Sequence, residues 1–357
     1  MPHDVKVATR RGLHPHPLRC VSKAWCSLIS SPHFIASHLN RSLSTSPHPP
    51  YRFVSRCYEN EPFDAIHTLL LYRDQEKEQK GNFLGNPSDA KELRGIHQST
   101  ENFLKLVGSS NGLLCLANKI FDYESWFWNP SIQKAISLPK PNIHRSFNQS
   151  FGFGYDPMTD DYKLVRLVFP DTDYVGFESV PSLVEIYTLR TSIWRSITAP
   201  GPHYLIRYWS SPVFVSGALH WSANTPPRQG AFRNVIVSFN MKDEAFGEVG
   251  MPKSLQGLVG WKITVALLDG LLALVHRNVD GYEASHDVWV MKEYGVAESW
   301  TKLFDVRIGA LDRVIGFTKS GEVLLQKAEY VDPFCDDRED IYLGSYVESL
   351  VLLNVAD

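Results

Sequence analysis

The sequence predicts a mainly β fold: a short N-terminal helical hairpin followed by a β-propeller-like domain of about six repeat units. Three observations carry this. Apolar residues recur at helical spacing between residues 18 and 43. From Phe103 onward, short runs rich in β-branched and aromatic residues are separated by turn residues. Those turns recur about every 50 residues, a period shared with kelch-type propeller blades.

In the helical stretch, Leu18, Val21, Trp25, Leu28 and Ile29 line one face. Ser31-Pro32 starts a second helix, because proline lacks the donor that a first turn leaves unpaired anyway. Phe34, Ile35, His38 and Leu39 make that helix amphipathic, and the run from Ser44 to Pro50 ends it. Such a face has two uses. It packs on its own domain, which is the commoner case, or it docks on a second protein.

Residues 51–72 hold two strand-like runs, 73–80 are a solvated charge run, and 81–100 read as a long loop. Five turns then align between the first two strands of successive units: Asn111-Gly112, Asp160-Asp161, Ser216-Gly217, Asp269-Gly270 and Ser320-Gly321. Third strands end near Trp126 and Trp128, Tyr187, Phe239 and Trp289; fourth strands begin at Trp194, Phe246 and Trp300. In these fourth strands an aromatic is followed three places on by an apolar residue, which breaks simple alternation and suggests a bulge. One unit cannot bury both faces of its sheet, so neighbours must stack, and a closed ring hides the strand edges. Residues 51–100 and strands within 341–355 are expected to share the closure. An open pair of β-sandwiches is the competing architecture.

Composition excludes several classes. The chain has 357 residues, 43% of them apolar, which is ample for a sizeable core. A formal charge of −3 gives no general attraction to nucleic acid or to a membrane surface. Five cysteines contain no CxxC pair, which argues against zinc and against a disulfide framework, and fits a reducing compartment, cytoplasm or nucleus. The first 20 residues contain no apolar core of a secretory signal. The longest apolar runs, 263–268 and 271–275, are split by Asp269-Gly270 and are too short to span a bilayer. The sequons at Asn40 and Asn148 are therefore read as chance matches.

No catalytic, cofactor-binding or metal-binding residue is assigned. Gly108-Ser109-Ser110-Asn111-Gly112 fits the G-x-S-x-G nucleophile pattern, which requires a helix after the serine. Here a strand-like run follows, and Asn-Gly is a strong hairpin dipeptide. Gly152-Phe153-Gly154 opens no helix, so it cannot cradle phosphate. Asp156 to Asp161 lacks the spacing of a calcium loop and reads as turn chemistry. The histidines form no HExxH. Trp128, Trp194, Trp289 and Trp300 sit at repeat-matched positions and are expected to pack between units. The acidic run 332–340 is a solvated loop or a docking surface for a basic partner, with Asp336, Asp337 and Asp340 as the candidate docking residues.

The run from Arg19 to Phe34, RCVSKAWCSLISSPHF, with His38-Leu39 beyond it, resembles the second half of a plant F-box; residues 1–17 match no part of that motif. Further on, SSNGLLCL, FWNPSIQKAISLP, FGFGYDPMTDDYKLVRL, VEIYTLRTSIWRSI and ALHWSA resemble the F-box-associated domain of the same proteins, in that family's order. The combination is most similar to the S-locus F-box group of the rose family. The resemblance implies residues 18–45 as a partial F-box and 51–357 as an F-box-associated domain. It also implies a non-enzymatic adaptor that attaches to the Skp-type linker and cullin scaffold of a ubiquitin ligase and presents a protein substrate. Leu18, Val21, Trp25, Leu28 and Ile29 would then be the linker anchors, and the substrate would be a basic ribonuclease of the style. The alternative is a ligand- or glycan-binding propeller with no ligase association.

Overall fold

Local turn chemistry sets the strand pairs. Asn111-Gly112, Ser216-Gly217 and Asp269-Gly270 have positive φ at both residues (47° and 79°, 52° and 75°, 49° and 76°). This is the two-residue hairpin turn whose twist matches right-twisted strands. At Asp160 a single left-handed residue, φ 50°, closes a longer turn. The Asp156 carboxylate organises that turn by accepting bonds from the Met158 backbone N–H (3.0 Å) and the Thr159 hydroxyl (2.8 Å).

The computed structural model describes residues 22–45, 51–58, 65–71, 90–92, 104–118, 124–143, 148–169, 183–197, 204–206, 211–225, 233–258, 262–280, 283–309, 313–317, 323–326 and 341–355. Their strands form six antiparallel sheets. The first contains β1 (Tyr51–Tyr58), β2 (Ala65–Leu71) and β3 (Ala90–Glu92). The second is β4 (Leu104–Ser110), β5 (Leu113–Asn118), β6 (Ser125–Asn129) and β7 (Lys134–Ser137). The third is β8 (Asn148–Asp156), β9 (Asp161–Phe169), β10 (Leu183–Thr188) and β11 (Ile193–Ser196). The fourth holds β12 (Leu205–Ile206), β13 (Val213–Val215), β14 (Ala218–Asn224), β15 (Asn234–Asn240) and β16 (Ala245–Val249). The fifth is β17 (Ile263–Leu268), β18 (Leu271–Asp280), β19 (Glu283–Met291) and β20 (Trp300–Gly309), and the sixth pairs β21 (Arg313–Phe317) with β22 (Val323–Gln326). Finally β23 (Ile341–Ser345) returns to the first sheet and pairs with β1, Tyr51 opposite Ser345.

The inner strands touch in a cycle. β23 meets β4, β4 meets β8, β8 meets β13, β13 meets β17, β17 meets β21, and β21 meets β23. A pair of sandwiches has no such cyclic order, so the fold is the expected ring of six. Two expectations need correcting. Within 341–355 only the first five residues are strand, and 346–355 leaves the sheet. β3 lies inside the stretch that reads as loop, because three residues are too few to show a periodicity. The suspected bulge occurs in the fifth unit, where Val288 pairs with Phe304 but Trp289 pairs with Lys302, leaving Leu303 over.

Apolar side chains fill the gaps between units. Val165, Leu167 and Ile186 of the third meet Leu219, Trp221 and Val237 of the fourth; Ile236 and Val249 meet Leu272, Leu274 and Trp300 of the fifth. β9 is therefore buried on both faces. Gly152 makes the first of these contacts possible, since a Cβ there would lie 2.6 Å from both the Trp221 ring and Leu219. The repeat-matched tryptophans pack as expected: Trp128, Trp194 and Trp300 are buried, and Trp289 is half-buried. Trp194 and Trp300 also donate, at 2.7 Å each, to the Pro139 and Gly250 carbonyls just after the preceding unit's fourth strand. Phe246, at the same place in the fourth unit, has no such donor.

Charges are buried too, but paired. Lys163 donates to Asp156 (2.7 Å), to Glu244 (2.9 Å) and to the Met241 carbonyl (2.7 Å), tying the third unit to the fourth. Arg166 and Glu185, opposite each other on β9 and β10, form a 2.6 Å pair with neither side chain reaching solvent. Such pairs add little net stability, but removing one partner strands a buried charge.

Two predictions follow from this packing. Gly152→Ala forces Trp221 aside and should lower unfolding stability by about 1–3 kcal/mol, read from urea denaturation at unchanged m-value. His220 and His286 are both buried, and burial pushes each pKa down to about 4. Below about pH 6.5 the unfolded chain binds protons that the folded chain refuses, so stability is full above that pH and falls as it drops toward 4. At pH 5 each histidine should cost about 2 kcal/mol relative to pH 7, and His220→Gln/His286→Gln should flatten the dependence of melting temperature on pH.

Candidate functional site

The chemistry-bearing motifs resolve into turns. Gly108 to Gly112 ends β4 and opens directly onto β5, so Ser110 stands in a hairpin and not at a helix N-terminus. With the repeat-matched tryptophans taken up in packing, no indole platform for sugars is formed by them. Among the described residues, no group of three or more His, Cys, Asp or Glu side chains could hold a metal. No helix of the described residues is long and apolar enough to cross a membrane.

The candidate site is the hairpin of α1 (Lys23–Ile29) and α2 (Pro32–Thr45), which carries the exposed Trp25 and Leu28. Its shape follows from three serines. Ser22 caps α1, its hydroxyl accepting from the Trp25 backbone N–H at 3.2 Å. Ser30 ends that helix, its N–H bonding back to the Cys26 carbonyl. Ser31 serves both helices, donating to the Leu28 carbonyl (2.7 Å) and accepting from the Phe34 N–H (3.3 Å). A Ser-Ser-Pro run cannot continue α1 and is suited to start α2, so the chain folds back there.

The apolar stripe of α1 is shared between two surroundings. Ile29 is 2% exposed and lies in one apolar cluster with Ile35, Leu113, Ile132 and Leu353. Trp25 and Leu28 are 47% and 52% exposed, and Leu43 of α2 is 45% exposed. Ile29, one of the expected anchors, thus packs into the cluster that seats the hairpin on the ring, while Trp25 and Leu28 keep their surface toward water. The physical reason is the width of the stripe. Within α1, Leu28, Trp25 and Ile29 span about 100° of helix circumference. One edge of that arc suffices to dock the hairpin, and the other edge stays in water.

Leu18 and Val21 lie outside the described residues, as do Asp336, Asp337 and Asp340. The sequence reading did not single out Leu43, although it lies i+4 from Leu39 and i+8 from Ile35 on the α2 stripe. The hairpin carries Lys23 and Arg41 and no acidic side chain between residues 22 and 45. An exposed Trp and Leu one helical turn apart suit a second protein with an apolar groove.

Comparison with known proteins agrees with the architecture. Residues 56–335 match the family described as the F-box associated beta propeller domain. The F-box protein CPR1 of Arabidopsis thaliana is 32% identical over 310 residues, covering 81% of this chain and 68% of the relative. An F-box/kelch-repeat protein of the same plant is 28% identical over 297 residues, covering 81% and 73%. Among solved structures, a polysaccharide lyase acting on ulvan aligns at a TM-score of 0.47 with 10% identity, over 84% of this chain and 77% of its own. A likeness at that level supports no argument about function. With a six-unit ring, a seated helical hairpin and these relatives, the chain belongs to the plant F-box proteins that carry an F-box associated β-propeller domain.

Proposed function

We propose that this chain is a substrate-recognition adaptor of a Skp–cullin–F-box ubiquitin ligase, with no catalytic step of its own. One observation carries the reading: Trp25 and Leu28 keep about half their surface in water although the helix bearing them is seated on the ring. In this reading Trp25 and Leu28, with Leu18 and Val21 preceding them, anchor the Skp-type linker, and the cullin scaffold is reached through that linker. The propeller then holds a protein substrate, and ubiquitin transfer is done elsewhere in the assembly.

A finer reading follows from the sequence resemblance to the S-locus group. The run 332–340 would dock a basic protein, a ribonuclease of the style, with Asp336, Asp337 and Asp340 supplying the field. Charge of this kind acts mainly on the encounter rate, and salt weakens it.

Two measurements test these readings separately. Retention of the full chain on immobilised Skp-type linker should be lost in Leu28→Asp and weakened by about 2 kcal/mol, roughly thirty-fold, in Trp25→Ala, with melting temperature unchanged. No retention of the parent chain at micromolar concentration removes the adaptor role. For the substrate, Asp336→Lys/Asp337→Lys/Asp340→Lys should slow association with a basic ribonuclease by about tenfold or more at low salt. Equal association rates remove the acidic-loop reading and leave the linker result untouched.

A further inference from the structure

The first unit differs from the others at one point. In units two to five the first and second strands are joined by a turn, whereas β23 and β1 are paired without being consecutive in the chain. Residue 51 enters the ring where residue 345 leaves it, the two lying opposite each other in the register. The hairpin therefore joins the body at the place from which residues 346–355 depart.

Those ten residues are held firmly although they form no strand. The Leu353 N–H bonds to the Leu350 carbonyl (3.0 Å), and the Val355 N–H to the Leu352 carbonyl (3.1 Å). Leu352 sits between them at φ 74°, a conformation leucine seldom adopts unless its surroundings impose it. Asn129 supplies much of the constraint. Its side-chain N–H₂ donates to the Ser349 carbonyl (3.0 Å), the Ser349 hydroxyl (3.1 Å) and the Val351 carbonyl (2.7 Å). The Tyr346 hydroxyl meets both the backbone N–H (3.0 Å) and the hydroxyl (2.6 Å) of Ser131. Gly112 leaves room, since a Cβ there would lie 2.4 Å from Ser349 and from the Val347 carbonyl.

The same segment reaches the hairpin. Leu350, Leu352 and Leu353 are buried in the apolar cluster that contains Ile29 and Ile35, with Phe34 packed against it. Burial lowers the pKa of His38 on α2, and the Glu348 carboxylate lies near enough to oppose that shift. Helices of 7 and 14 residues do not persist in water alone, so this cluster is what keeps them folded.

We infer that residues 346–355 act as a clamp fixing the hairpin on the ring, so that loosening this segment frees the hairpin while the ring stays closed. The clamp goes beyond the adaptor reading and holds whether or not a linker docks.

Hydrogen exchange followed by mass spectrometry on the full chain tests it. Asn129→Asp keeps the side-chain shape but turns a carboxylate toward three acceptor oxygens. Leu353→Ala thins the cluster from the other side. In both, amides of 346–355 and of α2 should exchange about tenfold faster than in the parent chain, while those of β18 and β19 keep their rates. A loosened segment with α2 unchanged would show that the hairpin has its own seat and would overturn the inference. So would a uniform rise across all units, which would make the segment a part of ring closure. Failure of both variants to loosen 346–355 would remove the clamp altogether.

Discussion

The pairing of β1 with β23 is the constraint on which the architecture depends. The third, fourth and fifth units carry apolar side chains between their sheets that only a neighbouring unit can cover. A linear stack would leave two such faces in water and two sets of unpaired backbone groups. Joining residues 51–55 to residues 341–345 removes both defects at once. The entropy lost in closing so long a loop grows only with the logarithm of its length. The inter-unit contacts it makes possible are large and repeated, so closure wins.

Closure by a borrowed strand also decides where everything else can attach. Both chain segments flanking the ring emerge at one end of the first sheet, beside Tyr51 and Ser345. The turns that join first to second and third to fourth strands lie at that same end of the other units. The cluster seating the hairpin contains residues bordering such turns, among them Leu113, Ile132 and Tyr162. The hairpin's position is thus a consequence of how the ring is sealed.

Much of this was legible in the sequence, and the rest was not, for physical reasons. Asn-Gly and Ser-Gly pairs marked the hairpin turns because few residues tolerate positive φ at two successive positions. The aromatic landmarks located third and fourth strands because a stacked unit needs bulk at the same height each time. Three other left-handed residues, Gln133, Ser192 and Glu244, close the turns between third and fourth strands, yet their residue types carry no such mark. The Lys163 and Arg166 ion pairs were equally silent, since a lysine or arginine in a strand usually reads as a solvated edge. The burial of Ile29 beside the exposed Trp25 and Leu28 left no signal, because helical periodicity identifies an apolar stripe but does not divide it between a body and water. The seat formed by 346–355 left no periodic signal, as its leucines follow turn geometry and neither helix nor strand spacing.

The distribution of connection lengths bears on the adaptor reading. At the hairpin's end the links between first and second strands are two residues in the second, fourth and fifth units and four in the third. The outer third-to-fourth links range from four residues (130–133, 189–192, 241–244) to eight (292–299) and eighteen (72–89). At the other end the second and third strands are joined by two residues in the fifth unit (281–282) but thirteen in the third (170–182). Loop length can vary there because the strands beneath are already fixed by their neighbours on both sides. A ring held by inter-unit packing can thus change what it presents at one end without disturbing the helical face at the other. That separation is what an adaptor requires: attachment to a common partner at one end and choice of cargo at the other.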